Sequence, residues 1–340
     1  MQILEQYDYH LPDKLIAKSP CDQRSHSRLM QVNRQTGQLS HHRFHQLTDF
    51  LKSNDLIVFN NTKVVKARLY GQKTTGGQVE VFIEQVQSDQ LALAMIKASK
   101  SPKIGAEIHL NTNQQASVLG INNGLYQLSL NTGTWWQLME EQGEVPLPPY
   151  LKRQATEADE DRYQSIFAQH PGAVAAPTAS LHFDAPLLDR LQAKGVNIGY
   201  LTLHIGAGTF LPLREQHIKT NTLHTERLEI TEQLLDQIDQ CQKSGGRVVA
   251  VGTTVVRALE STFQKPPEQR TGACETNIFI QPGFEFSVTD VMITNFHLPK
   301  SSLLMLVASF ASLDLMKKAY QTAVTEEYRF YSYGDAMIIT

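Results

Sequence analysis

The sequence predicts an α/β fold: a mainly parallel sheet with flanking helices, interrupted by a smaller inserted β-barrel domain. Three observations predict it. Beyond about residue 184, short apolar strand-type runs alternate with helix-type runs, the pattern of a sheet built from crossover units. Between about 64 and 130 the texture changes to short β-rich runs at 79–85, 91–98, 107–110, 116–121 and 126–130. Gly76-Gly77, Pro102, Gly105, Gly120 and Asn122-Asn123-Gly124 punctuate them, as in a small barrel or sandwich. The apolar run 56–59 stands before this stretch and suits the sheet after it, so the β-rich part reads as an insertion. The expected domains are 1–63 with 146–340 as an α/β catalytic domain, and 64–145 as the inserted barrel.

In order, 7–30 is polar and basic, with Lys14, Lys18, Arg24 and Arg28. The run 134–142 reads as a helix closed by Gly143. Pro146, Pro148 and Pro149 mark a joint, and the charged stretch 152–162 looks exposed. Asp184 suits the N-cap of a helix over 185–193, with Leu187, Leu188 and Leu191 inward and Gly195 past its end. A strand follows at 197–204. Thr231 caps a helix that runs through Cys241. A strand at 247–251 turns through Gly252-Thr253-Thr254 into a helix over 255–263. The segment 265–275, with Pro266-Pro267 and mixed charge, reads as a mobile loop. Strands at 277–280 and 291–294 precede an apolar helix from Leu303, and a last helix spans 313–327. A helix apolar all round is buried, so the start of the Leu303 helix is expected to open inside the protein.

Bulk properties exclude several classes. The 340 residues are 41% hydrophobic, with Lys+Arg 31 against Asp+Glu 34. A net charge of −3 gives no global basic field, so nucleic-acid contact must use a local patch. Cys21, Cys241 and Cys274 are far apart, with no CxxC pair, which implies neither a disulfide framework nor a zinc knuckle. The apolar run 303–313 is short of the roughly 20 residues a membrane span needs. The N-terminus lacks a basic-then-apolar signal, so a reduced, cytoplasmic setting is expected.

Ligands of such sheets bind at the carboxyl ends of the strands. Three strand ends carry polar clusters: His204 to Thr209 with Gly206 and Gly208; Thr253, Thr254 and Arg257; and Asn295, Phe296, His297, Lys300, Ser301. They are expected to form one site. Helix starts offer free N–H groups and a positive dipole end to an anion, although Thr253, Ser301 or Ser302 acting only as N-caps is the plain alternative. Gly206-x-Gly208 lacks the third glycine of the dinucleotide fingerprint, because Leu211 stands there. Gly252-Thr253-Thr254 is no P-loop. Thr178, Ser180 and His182 form a further cluster after Pro177, and Arg329, Tyr331, Tyr333 and Asp335 an aromatic-charged one. Lys63, Lys66, Arg68, Lys97, Lys100, Lys103, Lys152 and Arg153 are candidates for a phosphate-facing strip, or ordinary solvated cations.

Read together, these segments carry a resemblance. VAAPTASLHF (174–183), HIGAGTFLPL (204–213), LHTE (223–226), VGTTVVRALES (251–261), TNFHLPKSSLLMLV (294–307) and YRFYSYGDAMII (328–339) resemble the S-adenosylmethionine:tRNA ribosyltransferase-isomerases of the queuosine pathway. NNTKVVKARLYG (60–71) and PLPPY (146–150) add to it, and the resemblance runs from about Tyr7 to the C-terminus. The family often has NDTRV with PARL where this chain has Asn61, Lys63 and Lys66, and Gly where Ser180 stands. The resemblance implies an α/β domain with an inserted barrel. It also implies a reaction: the ribosyl part of S-adenosylmethionine passes to 7-aminomethyl-7-deazaguanine at the tRNA wobble position, giving epoxyqueuosine while adenine and methionine leave. S-adenosylmethionine is then a cosubstrate, tRNA the partner, and no metal or other cofactor is implied; a monomer with no membrane contact is expected.

That chemistry sets demands. The sulfonium acidifies the C5′ hydrogens, a base must take one, and adenine leaves best with a proton supplied. His182, His204 and His297 are the candidate bases, unranked, with Asp335 to hold the sulfonium or orient a base. Lys300, Arg257, Thr253 and Thr254 suit the methionine carboxylate or ribose hydroxyls, and Phe296 and Tyr333 could stack on adenine. The alternatives are an S-adenosylmethionine-dependent RNA methyltransferase, which would yield S-adenosylhomocysteine rather than adenine, and a non-catalytic RNA-binding protein.

Overall fold

The structure is a computed structural model that describes residues 2–111, 113–122, 124–210, 213 and 215–340. Leu211, in the third-glycine place, and Asn123 of the 122–124 turn lie outside them. The chain divides into two compact units. One comprises 1–62, 164–170 and 177–340; the other comprises 63–163 and 171–176.

The first unit is built on a nine-stranded sheet. In spatial order its strands are Gly272–Ile278, Thr222–Ile230, Asn197–His204, Leu56–Asn60, Val248–Val251, Val291–Asn295, Ala336–Ile339, Arg28–Val32 and Leu39–Arg43. The middle four, from Asn197–His204 to Val291–Asn295, are parallel, so their carboxyl ends share one edge. Antiparallel strands flank them on both sides, which makes the sheet mixed, with its parallel part at the centre.

The central strands are apolar on both faces because both are covered. Ile57, Phe59, Val249, Val251, Ile293, Ala336 and Leu29 point to one face and pack with Phe183, Leu187, Leu191, Phe44 and Phe167 in one core cluster. Strand alternation puts Val58, Ala250 and Met292 on the other face. There, helix Glu232–Lys243 buries Leu234, Ile238 and Cys241, one stripe at helical spacing. Thr231 caps it by accepting the Leu234 N–H at 3.2 Å, and Asp184 caps Ala185–Ala193 through Leu187 N–H at 3.1 Å.

Several expectations need correction. The segment expected to be a mobile loop at 265–275 holds a short helix, Pro267–Gln269, and the start of strand Gly272–Ile278, whose pairing with Thr222–Ile230 supplies the order that composition does not suggest. Strands Arg28–Val32, Leu39–Arg43, Thr222–Ile230 and Ala336–Ile339 were not legible as strands; they are polar or very short, and lateral pairing makes them. The apolar helix is Ser302–Ala311, but its start is half-buried rather than sealed inside: Lys300, Ser301 and Ser302 all reach solvent. Among the described residues no helix is long and apolar enough to cross a membrane.

The second unit holds a closed barrel, with strand order Leu125–Leu130, Leu91–Ala98, Gln78–Val86, Arg68–Lys73, Glu107–His109, Gln115–Asn122. Its strands pair antiparallel, and alternation fills the interior: Val81, Ala92, Ala94, Ile108, Ala116 and Leu128 are buried. Helix Trp135–Gln142 ends at Gly143, whose φ of −77° is ordinary. Space, not a left-handed turn, requires this glycine: a Cβ would sit 1.9 Å from the Lys66 carbonyl oxygen. The stretch 152–162 is not simply exposed. Helix Glu157–Arg162 forms in it, and Asp159, buried, takes a bidentate contact from Arg153 at 2.6 and 2.8 Å. Lys66 ties the same helix to the barrel through Glu160 at 3.0 Å.

Candidate active site

The shared carboxyl edge of the parallel strands brings His204, Gly252 and Asn295 into one row, together with the start of Ala336–Ile339 beside Asn295. Neighbouring strands lie about 4.8 Å apart, so the row from His204 to Asn295 spans roughly 14 Å. The turn Thr178–His182 packs against Val291–Asn295, and Ala179 approaches Gly252. Thus one residue of each strand-end cluster, His204, Gly252 and Asn295, lies along this edge with the Thr178–His182 turn.

His182 is buried beside Asn295. The Asn295 Nδ2 amide also faces the carbonyls of Tyr331 at 3.1 Å and Asp335 at 3.5 Å, which fixes it as the donor. It therefore donates to His182 Nε2 at 3.1 Å, and Nδ1 carries the proton toward Ser27 Oγ at 2.7 Å. Burial, helped by Arg329 and Arg24, pushes the imidazole down to about 3. Arg24 donates to the carbonyls of Leu181 (3.2 Å) and Gln164 (2.9 Å) and so holds this turn. Tyr331, whose carbonyl takes the Asn295 amide, has φ +73°, a strained conformation of the kind found at functional sites.

His297 is also buried, and burial pushes it down to about 3. Its Nε2 contacts Thr294 Oγ1 at 2.8 Å, its backbone N–H donates to the Tyr320 hydroxyl at 3.0 Å, and its carbonyl accepts from Tyr9. Alternation puts Thr294 on the sheet face opposite Asn295, so His297 and His182 are held from opposite faces. His204 is half-buried; burial first, then Arg227 and His170, hold it down at about 4. All three imidazoles are therefore neutral at pH 7.

Polar atoms without partners gather on this edge. Asn295 Oδ1, Ser180 Oγ, Thr254 Oγ1 and Arg257 Nη2 are buried with no hydrogen-bond partner. A buried polar group left unpaired costs free energy, and a ligand that pairs it recovers that cost. Helix Thr253–Phe263 starts at Gly252, whose φ of +94° requires glycine, and no side chain caps it. Thr253 and Thr254 are therefore not N-caps, and the open helix start remains. Arg257 lies inside the unit as an ion pair with Glu226, both buried, and its Nε donates to the Ile278 carbonyl at 3.2 Å.

Other candidates are engaged elsewhere. Lys300, at φ +54°, pairs with Glu5 (3.0 Å) and Asp8 (2.9 Å) at the surface, and Ser301 caps its helix by accepting the Leu304 N–H. Phe296 is fully buried against Tyr320, Tyr328 and Phe330 and presents no ring face to a ligand. Asp335 accepts the backbone N–H groups of Arg28 (2.9 Å) and Arg329 (2.8 Å), an organising role within this edge. Tyr333 is buried, and Thr178 half-buried. Gly208 lies against the His224 ring, where a Cβ would come within 2.5 Å; Gly206 is half-buried and Thr209 exposed.

In the second unit, Lys66, Arg68 and Arg153 are paired with carboxylates, whereas Lys63, Lys97, Lys100, Lys103 and Lys152 are exposed. Sequence reasoning missed Ser27, Thr62 and Arg24, small or remote side chains whose partners are more than 100 positions away. Among the described residues no group of three His, Cys, Asp or Glu is arranged to hold a metal ion.

The sequence model of the family described as queuosine biosynthesis protein matches residues 4–339. The chain belongs to this family. A relative from Francisella tularensis subsp. novicida named S-adenosylmethionine:tRNA ribosyltransferase-isomerase is 47% identical over 337 residues, covering 98% of this chain and 99% of the relative. One of the same name from Francisella philomiragia is 46% identical over 336 residues, with the same coverage. The crystal structure of an S-adenosylmethionine tRNA ribosyltransferase from Thermotoga maritima matches with a TM-score of 0.58 at 32% identity, covering 98% of this chain and 100% of that one. The queuosine-family chain is thus an enzyme of the transferase-isomerase class, and its fold is that of its relative.

Proposed function

We propose that this chain transfers and isomerises the ribosyl moiety of S-adenosylmethionine onto 7-aminomethyl-7-deazaguanine at the tRNA wobble position, giving epoxyqueuosine-tRNA with release of adenine and methionine. Full-length similarity to enzymes of that name supports the reading. The observation that carries it is the row of unpartnered buried polar atoms along the carboxyl edge: Ser180 Oγ, Asn295 Oδ1, Thr254 Oγ1 and Arg257 Nη2. Acceptors and donors spread over such a span suit a ligand with a base, a ribose and an amino-acid tail.

Within this reading, Asn295 and Ser180 serve the nucleoside end. The uncapped start of Thr253–Phe263, with Thr254 and Arg257, serves the carboxylate or ribose hydroxyls. The sulfonium acidifies C5′–H, and a neutral histidine of this edge takes the proton. The α/β unit performs the chemistry, and the barrel unit contributes lysines for tRNA phosphates. S-adenosylmethionine acts as cosubstrate.

The test is incubation of the enzyme with S-adenosylmethionine and tRNA bearing 7-aminomethyl-7-deazaguanine, following released bases by chromatography and nucleosides by mass. Adenine, methionine and an epoxyqueuosine-mass nucleoside are expected in equal amounts. S-adenosylhomocysteine in place of adenine would establish a methyltransferase, and tRNA binding with no consumption of cosubstrate a binding protein.

A further inference from the structure

We propose that Thr62 and His204 form a catalytic dyad in which His204 Nε2 accepts the C5′ proton next to the sulfonium, while Thr62 is a positioning residue that holds the ring. The proposal rests on the reaction above and assigns its base.

The free nitrogen decides among the three histidines. Both ring nitrogens of His182 are engaged, by Ser27 and Asn295, so its lone pair is already used. His297 is tethered to Thr294, which points to the sheet face away from Asn295 and Ser180. His204 continues the alternation of Tyr200 and Thr202, in register with Phe59 and Asn61, and so stands on the same face as Asn295. Its Nδ1 lies 2.8 Å from Thr62 Oγ1, and no described residue meets its Nε2.

Thr62 is held rigidly for this purpose. Asn60, fully buried, locks onto the backbone of Leu203, the residue before His204: its Nδ2 donates to the Leu203 carbonyl at 2.8 Å, and its Oδ1 accepts the Leu203 N–H at 3.0 Å. The same Oδ1 accepts the Thr62 N–H at 3.1 Å. Thr202 fastens the next residue, donating to Asn61 Oδ1 at 2.7 Å. The Asn60-Asn61-Thr62 run is therefore clamped side by side with Thr202-Leu203-His204. Thr62 Oγ1 also faces the His170 carbonyl at 3.4 Å. One arrangement satisfies both contacts: the hydroxyl donates to His170 O and accepts the proton of Nδ1–H, which leaves a bare lone pair on Nε2. The ring is neutral at pH 7, so this lone pair is present to accept, although burial, Arg227 and His170 disfavour the imidazolium.

In the step itself the C5′–H bond breaks and an Nε2–H bond forms. The electron pair stays on carbon, stabilised by the adjacent sulfonium, and the imidazole becomes imidazolium. No further reactant is needed.

The test uses full-length His204→Gln, Thr62→Val and Thr62→Ser, with melting and circular dichroism to check folding. The readouts are single-turnover adenine release with modified tRNA, cosubstrate KM, and deuterium uptake at C5′ of S-adenosylmethionine recovered from D2O. His204→Gln is expected to lower kcat by roughly 10²–10⁴-fold and to abolish C5′ exchange, with KM nearly unchanged. Thr62→Val should lower kcat about 10-fold, the weight of one orienting hydrogen bond, and Thr62→Ser should restore it. A folded His204→Gln that releases adenine and exchanges C5′ hydrogen at the wild-type rate overturns the dyad. So does a Thr62→Ser protein as slow as Thr62→Val, which remains decisive even if His204→Gln does not fold. A wild-type enzyme that releases no adenine overturns the reaction reading instead, and the dyad with it.

Discussion

Lowering the pH from 7 to 5 should destabilise the α/β unit through histidines that fold in the neutral state. His182 and His297 are buried and held down at about 3, against an ordinary value near 6.5. Between these values the unfolded chain binds a proton that the folded one does not, so stability rises with pH in this window. The contribution is fully present above pH 6.5 and is lost as the pH falls toward 3. At pH 5 each histidine should already cost about 2 kcal/mol relative to pH 7. Carboxylates add their own slope, so the measurement is a difference. Urea unfolding is followed at both pH values for wild type, His182→Gln and His297→Gln. Each variant is expected to lose about 2 kcal/mol less than wild type between pH 7 and pH 5, whatever its stability at pH 7. A variant whose loss matches the wild type would refute the claim that its histidine is buried uncharged.

Arg257→Met leaves Glu226 charged and unpaired in the interior, and should lower unfolding stability by about 3–5 kcal/mol, whereas an exposed lysine change such as Lys243→Met should cost little; urea titration compares them. Gly143→Ala should destabilise the barrel unit although its φ is ordinary, because the added Cβ meets the carbonyl oxygens of Lys66 and Met139; a lower melting temperature in near-UV dichroism checks it. Joint replacement of Lys97, Lys100 and Lys103 by Gln should weaken tRNA binding and flatten its salt dependence by about 0.7–0.9 per lost phosphate contact. Replacing Lys66, Arg68 and Arg153, which already face Glu160, Glu80 and Asp159, should change that slope less.

The sequence by itself determined the layers of this protein. Continuous apolar runs such as 56–59 and 291–294 read as buried strands, and 185–193 carries its own cap and its own stripe, so those elements were legible from local signals. The punctuated run from 64 to 130 was legible as a separate β body for the same reason: alternation and turn glycines are local signals. The polar strand ends were legible too, because chain direction alone puts them at one edge of a parallel sheet. Only the tertiary structure decided what that edge contains. Ser27 finds His182, Thr62 finds His204 and Arg24 finds Leu181 across more than 100 residues, and nothing local marks a serine or threonine as the partner of a distant imidazole. Burial decided the charges, making three histidines neutral and turning Phe296 into a core residue. Pairing decided the outlying strands: Ala336–Ile339 is a strand because Val291–Asn295 and Arg28–Val32 lie on either side of it, and its few residues carry too little periodicity to announce that alone.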